Sequence, residues 1–215
     1  MPRWPDDTRT RLVDAALTLF GETGYPSTTI DQIAAHAGVS ARTFFRHFGD
    51  KEEVLFADDD ALLPLLLDTI ASADEARAAT AESLMHHALG VLADAIEPSR
   101  RELAARQRII DSDVALAGRE LAKQARWQSA VATALVARGF SDDDADVLAA
   151  IGFALFRRSL HTWLAANDAV SLRERVARAL PRIRTVLDAR PAHPTSQSVT
   201  QMAASKTARI PSDSP

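Results

Sequence analysis

Thr28-Thr29-Ile30-Asp31-Gln32-Ile33-Ala34-Ala35-His36-Ala37-Gly38-Val39-Ser40-Ala41-Arg42-Thr43-Phe44-Phe45-Arg46-His47-Phe48-Gly49-Asp50-Lys51 reads as two short helices joined by a tight turn. Thr29 caps the first, and Gln32 stands where a capping box needs it. Ile33, Ala34 and Ala37 recur at helical spacing and give that helix its inner face. Gly38 supplies the positive φ of the turn, which a residue with a Cβ tolerates poorly. Ser40 caps the second helix, whose inner side carries Val39, Phe44 and Phe48. Ser40, Ala41, Arg42, Thr43 and Arg46 are left facing outward.

That outward set has the chemistry of a DNA reader. Arginine pairs bidentately with guanine, threonine donates to a base edge or offers its methyl to thymine, and serine bonds base or phosphate. Arg46, His47 and Lys51 add groups suited to backbone phosphates. Thr29 stands at a helix N-terminus, which favours an anion. On turn and spacing alone, a buried helix pair with a solvated polar face remains open.

Residues from about Thr8 to Leu55 resemble the DNA-binding domain of the tetracycline-repressor (TetR) family of bacterial regulators. The resemblance rests on an ordered set: Phe20-Gly21-Glu22-Thr23-Gly24-Tyr25, Thr28-Thr29-Ile30, Ile33-Ala34, Ala37-Gly38-Val39-Ser40, Thr43-Phe44-Phe45-Arg46-His47-Phe48 and Lys51. It adds Thr28 and Phe45 to the DNA-facing candidates. The family usually has Tyr where Phe45 stands, so a phosphate hydrogen bond is missing there, and Pro26 replaces a more usual polar residue.

The chain has 215 residues, 47% hydrophobic and 6% aromatic, enough for a substantial core. Ala and Leu dominate, which favours an all-α protein. With no cysteine there is no disulfide, thiolate metal site or cysteine nucleophile. No apolar run approaches the ~20 residues of a bilayer span, and a cytoplasmic location is expected. A net charge of −4 is unusual for a DNA binder, but the local charge at Arg42, Arg46 and Lys51 is what a duplex meets.

The expected organisation is a three-helix helix-turn-helix head (residues 1–50), a helical-bundle body for ligand binding and dimerisation (51–190) and a disordered tail (191–215), with about nine helices. Residues 1–7 form an arm, and a first helix capped near Asp7 braces the head. A fourth helix begins at Lys51 and meets Pro64, which should kink or break it. Capping boxes are read at Ser99–Glu102 and Ser171–Glu174, and Ser141 caps an eighth helix running to about Asn167. The run Asp58-Asp59-Asp60 points in different directions on a helix, so it reads as a solvated face and no metal is expected.

The last two helices carry more apolar surface than a monomer needs. A two-fold dimer through a four-helix bundle uses it, with Ile151, Leu155, Arg158, Val176, Leu180 and Ile183 as interface candidates. The resemblance further implies an apolar ligand pocket within helices five to eight. Its candidate lining is Leu84, His87, Val91, Gln107, Ile110, Trp127, Val131, Phe153 and Phe156; core packing is the competing reading of each. Arg42–Arg46 with Val54–Asp60 is similar to actinobacterial members grouped as acyl-coenzyme-A-like ligand-binding regulators, which implies an acyl thioester effector. The expected function is therefore a ligand-responsive regulator, a repressor, that binds a palindromic operator as a homodimer and is released by a small apolar effector. No cofactor, catalytic residue or membrane partner is expected. A helical-bundle enzyme lacks support, since no Glu-x-x-His, Gly-x-Ser-x-Gly, His-Glu-x-x-His or phosphate-loop motif occurs. A protein-binding adaptor that does not use DNA leaves the pattern of Arg42, Thr43 and Lys51 without a purpose.

Overall fold

The computed structural model describes residues 5–57, 59–77 and 79–188, with the side chains at 5–7, 59–60, 180, 183–184 and 186–188 excepted. The first four residues of the expected arm and the expected tail at 191–215 lie outside them. Among the described residues all regular structure is helical. The order is α1 (Pro5–Thr23), α2 (Ile30–His36), α3 (Ala41–His47), α4 (Asp59–Ser72), α5 (Ala81–Ile96), α6 (Arg100–Asp111), α7 (Val114–Ala137), α8 (Asp142–Ala165) and α9 (Leu172–Asp188). Short 3-10 turns occupy Glu53–Phe56 and Glu97–Ser99. Residues 1–180 form one unit; in the other, residues 181–215, the described part is the end of α9.

Local chemistry explains most boundaries. Thr29, Ser40, Thr80, Asp113 and Ser141 each accept a first-turn N–H with the side chain, and Thr29 with Gln32 completes the capping box. Gly24, Gly38 and Gly139 follow helix ends with φ of 85°, 69° and 97°. Ser171 Oγ accepts the Glu174 N–H at 3.0 Å. Arginines reach across to close other ends. Arg11 donates to Ala37 O at the end of α2, Arg138 to Ile70 O and Ala71 O in the last turn of α4, and Arg100 to Trp163 O and Ala166 O at the end of α8.

Three expectations fail locally. Lys51 does not open the fourth helix. Asp50 Oδ1 accepts the Glu53 N–H, the chain makes a 3-10 turn, and α4 starts only at Asp59. Ser99 forms no side-chain cap, because Pro98 and the preceding 3-10 turn feed the chain into α6 and the Arg100 N–H bonds Glu97 O instead. Pro64 does not break α4, which runs on from Asp59 to Ser72. As the sixth residue of the helix it lies just past the four unpaired donors of the start, so its missing N–H costs one intrahelical bond.

Two apolar clusters hold the fold. One joins Leu12, Phe20, Ile33, Phe44, Phe48 and Leu55 to Ile109, Ile110 and Leu116, so the head packs on the α6–α7 corner and its core is continuous past residue 50. The other lies within the bundle and centres on Ile70, Leu84, Leu89, Leu135, Trp163 and Leu172. α3 thus shares a core with α6 and α7, two of the helices of the body.

Candidate nucleic-acid interface and effector cavity

The turn between α2 and α3 is built by Gly38, whose N–H bonds Ala35 O at 3.1 Å while Val39 N–H bonds Ala34 O at 2.9 Å. α3 then seats Phe44 inward at 0% exposure and turns Arg42 and Arg46, one helical turn apart, to solvent. Phe45 stands between them at 56% exposure, an apolar ring on an otherwise polar face. Ser40 is exposed, and Ala41, Thr43 and His47 are half-buried. The Ser40 and Thr43 hydroxyls are 3.0 Å apart. Thr29 is exposed at the start of α2, beside the same surface.

Two of the candidate DNA contacts point elsewhere. Thr28 is buried, its hydroxyl donating to Gly24 O and sharing a bond with Thr23 Oγ1, so it closes the α1–α2 loop and offers nothing to a phosphate. Lys51 Nζ donates to Tyr25 O at 2.8 Å and Thr28 O at 3.0 Å, and lies 4.2 Å from the centre of the Tyr25 ring. Its ammonium is engaged within the head, clamping the loop before α2 to the segment after α3. Lys51→Ala is expected to lower head stability by about 1–2 kcal/mol through lost charged hydrogen bonds and ring contact, read by chemical denaturation.

His47 carries the clearest electrostatic signal on this face. Burial, then the Arg46 and Arg9 charges, hold its imidazole below the usual histidine value. The free protein therefore presents it neutral near pH 7. Phosphate brought beside it would raise that value, so binding would take up a proton and tighten as pH falls from about 8 to 6. Duplex titrations across that range should show the trend in the natural chain and lose it in His47→Gln.

Residues of α4 to α8 line a partly open cavity of about 360 Å³. Gln107, Ile110, Trp127, Phe153 and Phe156 line it, and the Trp127 and Phe153 rings meet edge to face at 6.5 Å. Leu84 and Val131 do not: both are fully packed in the bundle core. His87 and Val91 also stand away from the wall, on a side of α5 different from that of Leu92 and Ile96, which do line it. Residues not foreseen include Arg106, Glu120, Lys123, Gln124, Arg157 and His161. Charged residues on amphipathic helices read as solvent-facing, so periodicity gives no signal for them. Arg106 is 8% exposed and donates to Glu102, and Lys123 pairs with Glu120 at 2.8 Å.

On α8, Ile151 is 38% exposed, Leu155 is half-buried and Arg158 is exposed; Val147, at 57%, extends the stripe by one turn. Val176 does not belong with them, because it is wholly buried in the bundle core of its own chain. The side chains of Leu180 and Ile183 lie outside the described residues. Among the described residues no group of three or more metal-ligating side chains converges, and no helix is long and apolar enough to cross a membrane.

Comparison with known proteins follows the same division. Residues 12–57 match the family described as "Bacterial regulatory proteins, tetR family". The HTH-type transcriptional regulator TcmR of Streptomyces glaucescens is 49% identical over 63 residues, 27% of this chain and 28% of TcmR. The HTH-type transcriptional repressor KstR2 of Rhodococcus jostii is 38% identical over 81 residues, 36% of this chain and 39% of KstR2. The match thus spans well under half the length of these curated relatives. Solved structures extend the likeness to the body. The SmeT–triclosan complex aligns with a TM-score of 0.60 at 21% identity, over 83% of this chain and 90% of that one. Thermus thermophilus FadR with lauroyl-CoA gives 0.53 at 22%, over 86% and 97%. At such identities the likeness shows the fold alone.

Proposed function

We propose that the chain is a TetR-type regulator, its residues 12–57 matching that family, and that it acts as a ligand-responsive repressor that binds a palindromic operator as a homodimer. The observation that carries this reading is α3 itself: a capped helix after a positive-φ glycine, with Arg42 and Arg46 exposed on one face and Phe44 locked beneath. Ser40, Ala41, Arg42 and Thr43 supply the base-facing set, while Thr29, Arg46 and His47 face phosphates and Phe45 packs on a sugar. The head comprises residues 1–50 with its packing on the α6–α7 corner; the body, residues 51–190, supplies cavity and dimer surface.

The Val147–Ile151–Leu155 stripe of α8 with Arg158 is the surface on which a second copy packs, setting two heads for successive major grooves ~34–36 Å apart. Ile151→Asp places a charge at the centre of that stripe. It is expected to yield monomers in light scattering at micromolar concentration and to abolish operator binding; a dimer of unchanged affinity would defeat this surface.

The cavity accepts a small apolar effector, and its 360 Å³ lies in the range of ligand sites. An acyl-CoA-like molecule fits the mixed apolar and charged wall, and a protein of the same fold binds lauroyl-CoA. Effector and DNA would oppose each other reciprocally, by typically ~1–3 kcal/mol. Selection of duplexes from a random pool, repeated with lauroyl-CoA present, tests the whole reading. A palindromic consensus recovered only without the effector is expected, and failure to enrich any sequence would overturn it.

A further inference from the structure

Between the head and the cavity lies a cluster of charged and aromatic groups that neither DNA reading nor ligand binding uses. Arg119, on α7, donates through Nη1 to Asp50 Oδ2 at 2.9 Å and to Glu52 Oε2 at 2.8 Å. Its guanidinium also lies 5.5 Å from the centre of the Phe56 ring. Glu52 is fixed from its other oxygen by the Tyr25 hydroxyl at 2.9 Å, and Tyr25 is the residue whose ring and carbonyl hold Lys51. One side chain of the body therefore grips the segment that follows α3 at two carboxylates and an aromatic face. On the other side, Lys123, one turn along α7, lies 5.1 Å from the Phe56 ring and 5.8 Å from the Trp127 ring, and both Lys123 and Trp127 line the cavity. A contiguous set of contacts thus runs from the cavity wall to the segment that follows α3.

We propose that Arg119 is a positioning residue: its hold on Asp50, Glu52 and Phe56 fixes where α3 stands relative to α7, and it is the point at which occupation of the cavity is transmitted to the head. The proposal rests on the DNA-reading role assigned to α3. Arg119, Asp50 and Glu52 keep 35%, 52% and 34% side-chain exposure, so each ion pair adds little to global stability. What Nη1 supplies between two carboxylates is geometry, because its two N–H groups point in directions fixed by the guanidinium plane. A contact strong in direction and weak in stability can be released by a ligand without unfolding anything.

The test compares the unsubstituted chain with Arg119→Ala and Arg119→Lys. With a duplex recovered by selection, Arg119→Ala is expected to weaken binding at least tenfold while leaving the slope of log affinity against log salt unchanged, because no phosphate contact is lost. Arg119→Lys keeps the charge but not the fixed planar direction of the two N–H groups and should recover part of the loss. Anilinonaphthalene sulfonate, an aromatic anion whose fluorescence reports apolar sites, should bind both natural chain and Arg119→Ala but lower duplex affinity only in the former. Unchanged duplex affinity in Arg119→Ala, or a slope reduced by one phosphate contact, would overturn the proposal. Hydrogen exchange separates it from the functional reading: even if no duplex binds, the Leu55 amide, bonded to Glu52 O at 2.9 Å, should lose protection in Arg119→Ala. Equal protection there sinks the latch, whereas loss of protection without any duplex binding sinks only the DNA assignment.

Discussion

Phe44→Ala is expected to destabilise the head by about 3–5 kcal/mol and to abolish DNA binding. Phe44 is 0% exposed and its ring centroid lies 5.6 Å from that of Phe48 and 5.7 Å from that of Phe45. Removing it opens a void at the point where α3 meets α1 and α2, in a helix of seven residues too short to hold itself. Against a typical total of about 5–15 kcal/mol, such a loss leaves the head unfolded for much of the time. Among the described residues the bundle core contains none from the head, so far-ultraviolet circular dichroism should keep most of its helical signal while an early transition appears on heating. The neighbouring Phe45→Ala is the control. That ring is mostly exposed, so its loss should cost under about 1 kcal/mol of stability while still impairing DNA binding. Equal stability losses for the two would show that α3 is not seated as described.

Adjacent phenylalanines with opposite roles also show what the sequence can and cannot say. The caps at Thr29 and Ser40, the turn at Gly38 and the burial of Phe44 were legible because each depends on residues within one or two helical turns. The fates of Thr28 and Lys51 were not. Lys51 finds its acceptors 26 and 23 residues away, a pairing that exists only once α1, α2 and α3 have packed. A lysine after a recognition helix has the same local signature whether it meets phosphate or carbonyl. The cavity wall has the same property. Trp127 and Phe153 are apolar and were foreseen, whereas Arg106, in a helix rich in charge, is inside only because α6 turns that side inward and Glu102 meets its guanidinium. Val176 shows the converse: a clean apolar stripe on α9 identifies a buried face without saying whether its own chain or a second copy covers it.

The sharpest remaining expectation concerns Arg42, whose loss should blur sequence preference far more than it lowers general affinity for DNA. Arg42 is the second residue of α3, and residues at the start of a recognition helix are those that reach base edges. A bidentate arginine–guanine pair is worth about 1–3 kcal/mol of discrimination, so Arg42→Ala should cut the ratio of cognate to random affinity roughly 5- to 150-fold. Arg46 lies one turn further on, near the helix end, with Nη2 3.4 Å from His47 Nε2, where a phosphate is the nearer partner. Arg46→Ala should therefore weaken cognate and random duplexes alike and reduce the salt slope by about 0.9, the signature of one lost phosphate contact. Measuring both variants on both duplexes at two salt concentrations separates the roles. If Arg42→Ala lowered cognate and random binding equally, with the salt slope falling as well, Arg42 would be a backbone contact and the base-reading face of α3 would have to be sought at Ser40 and Thr43.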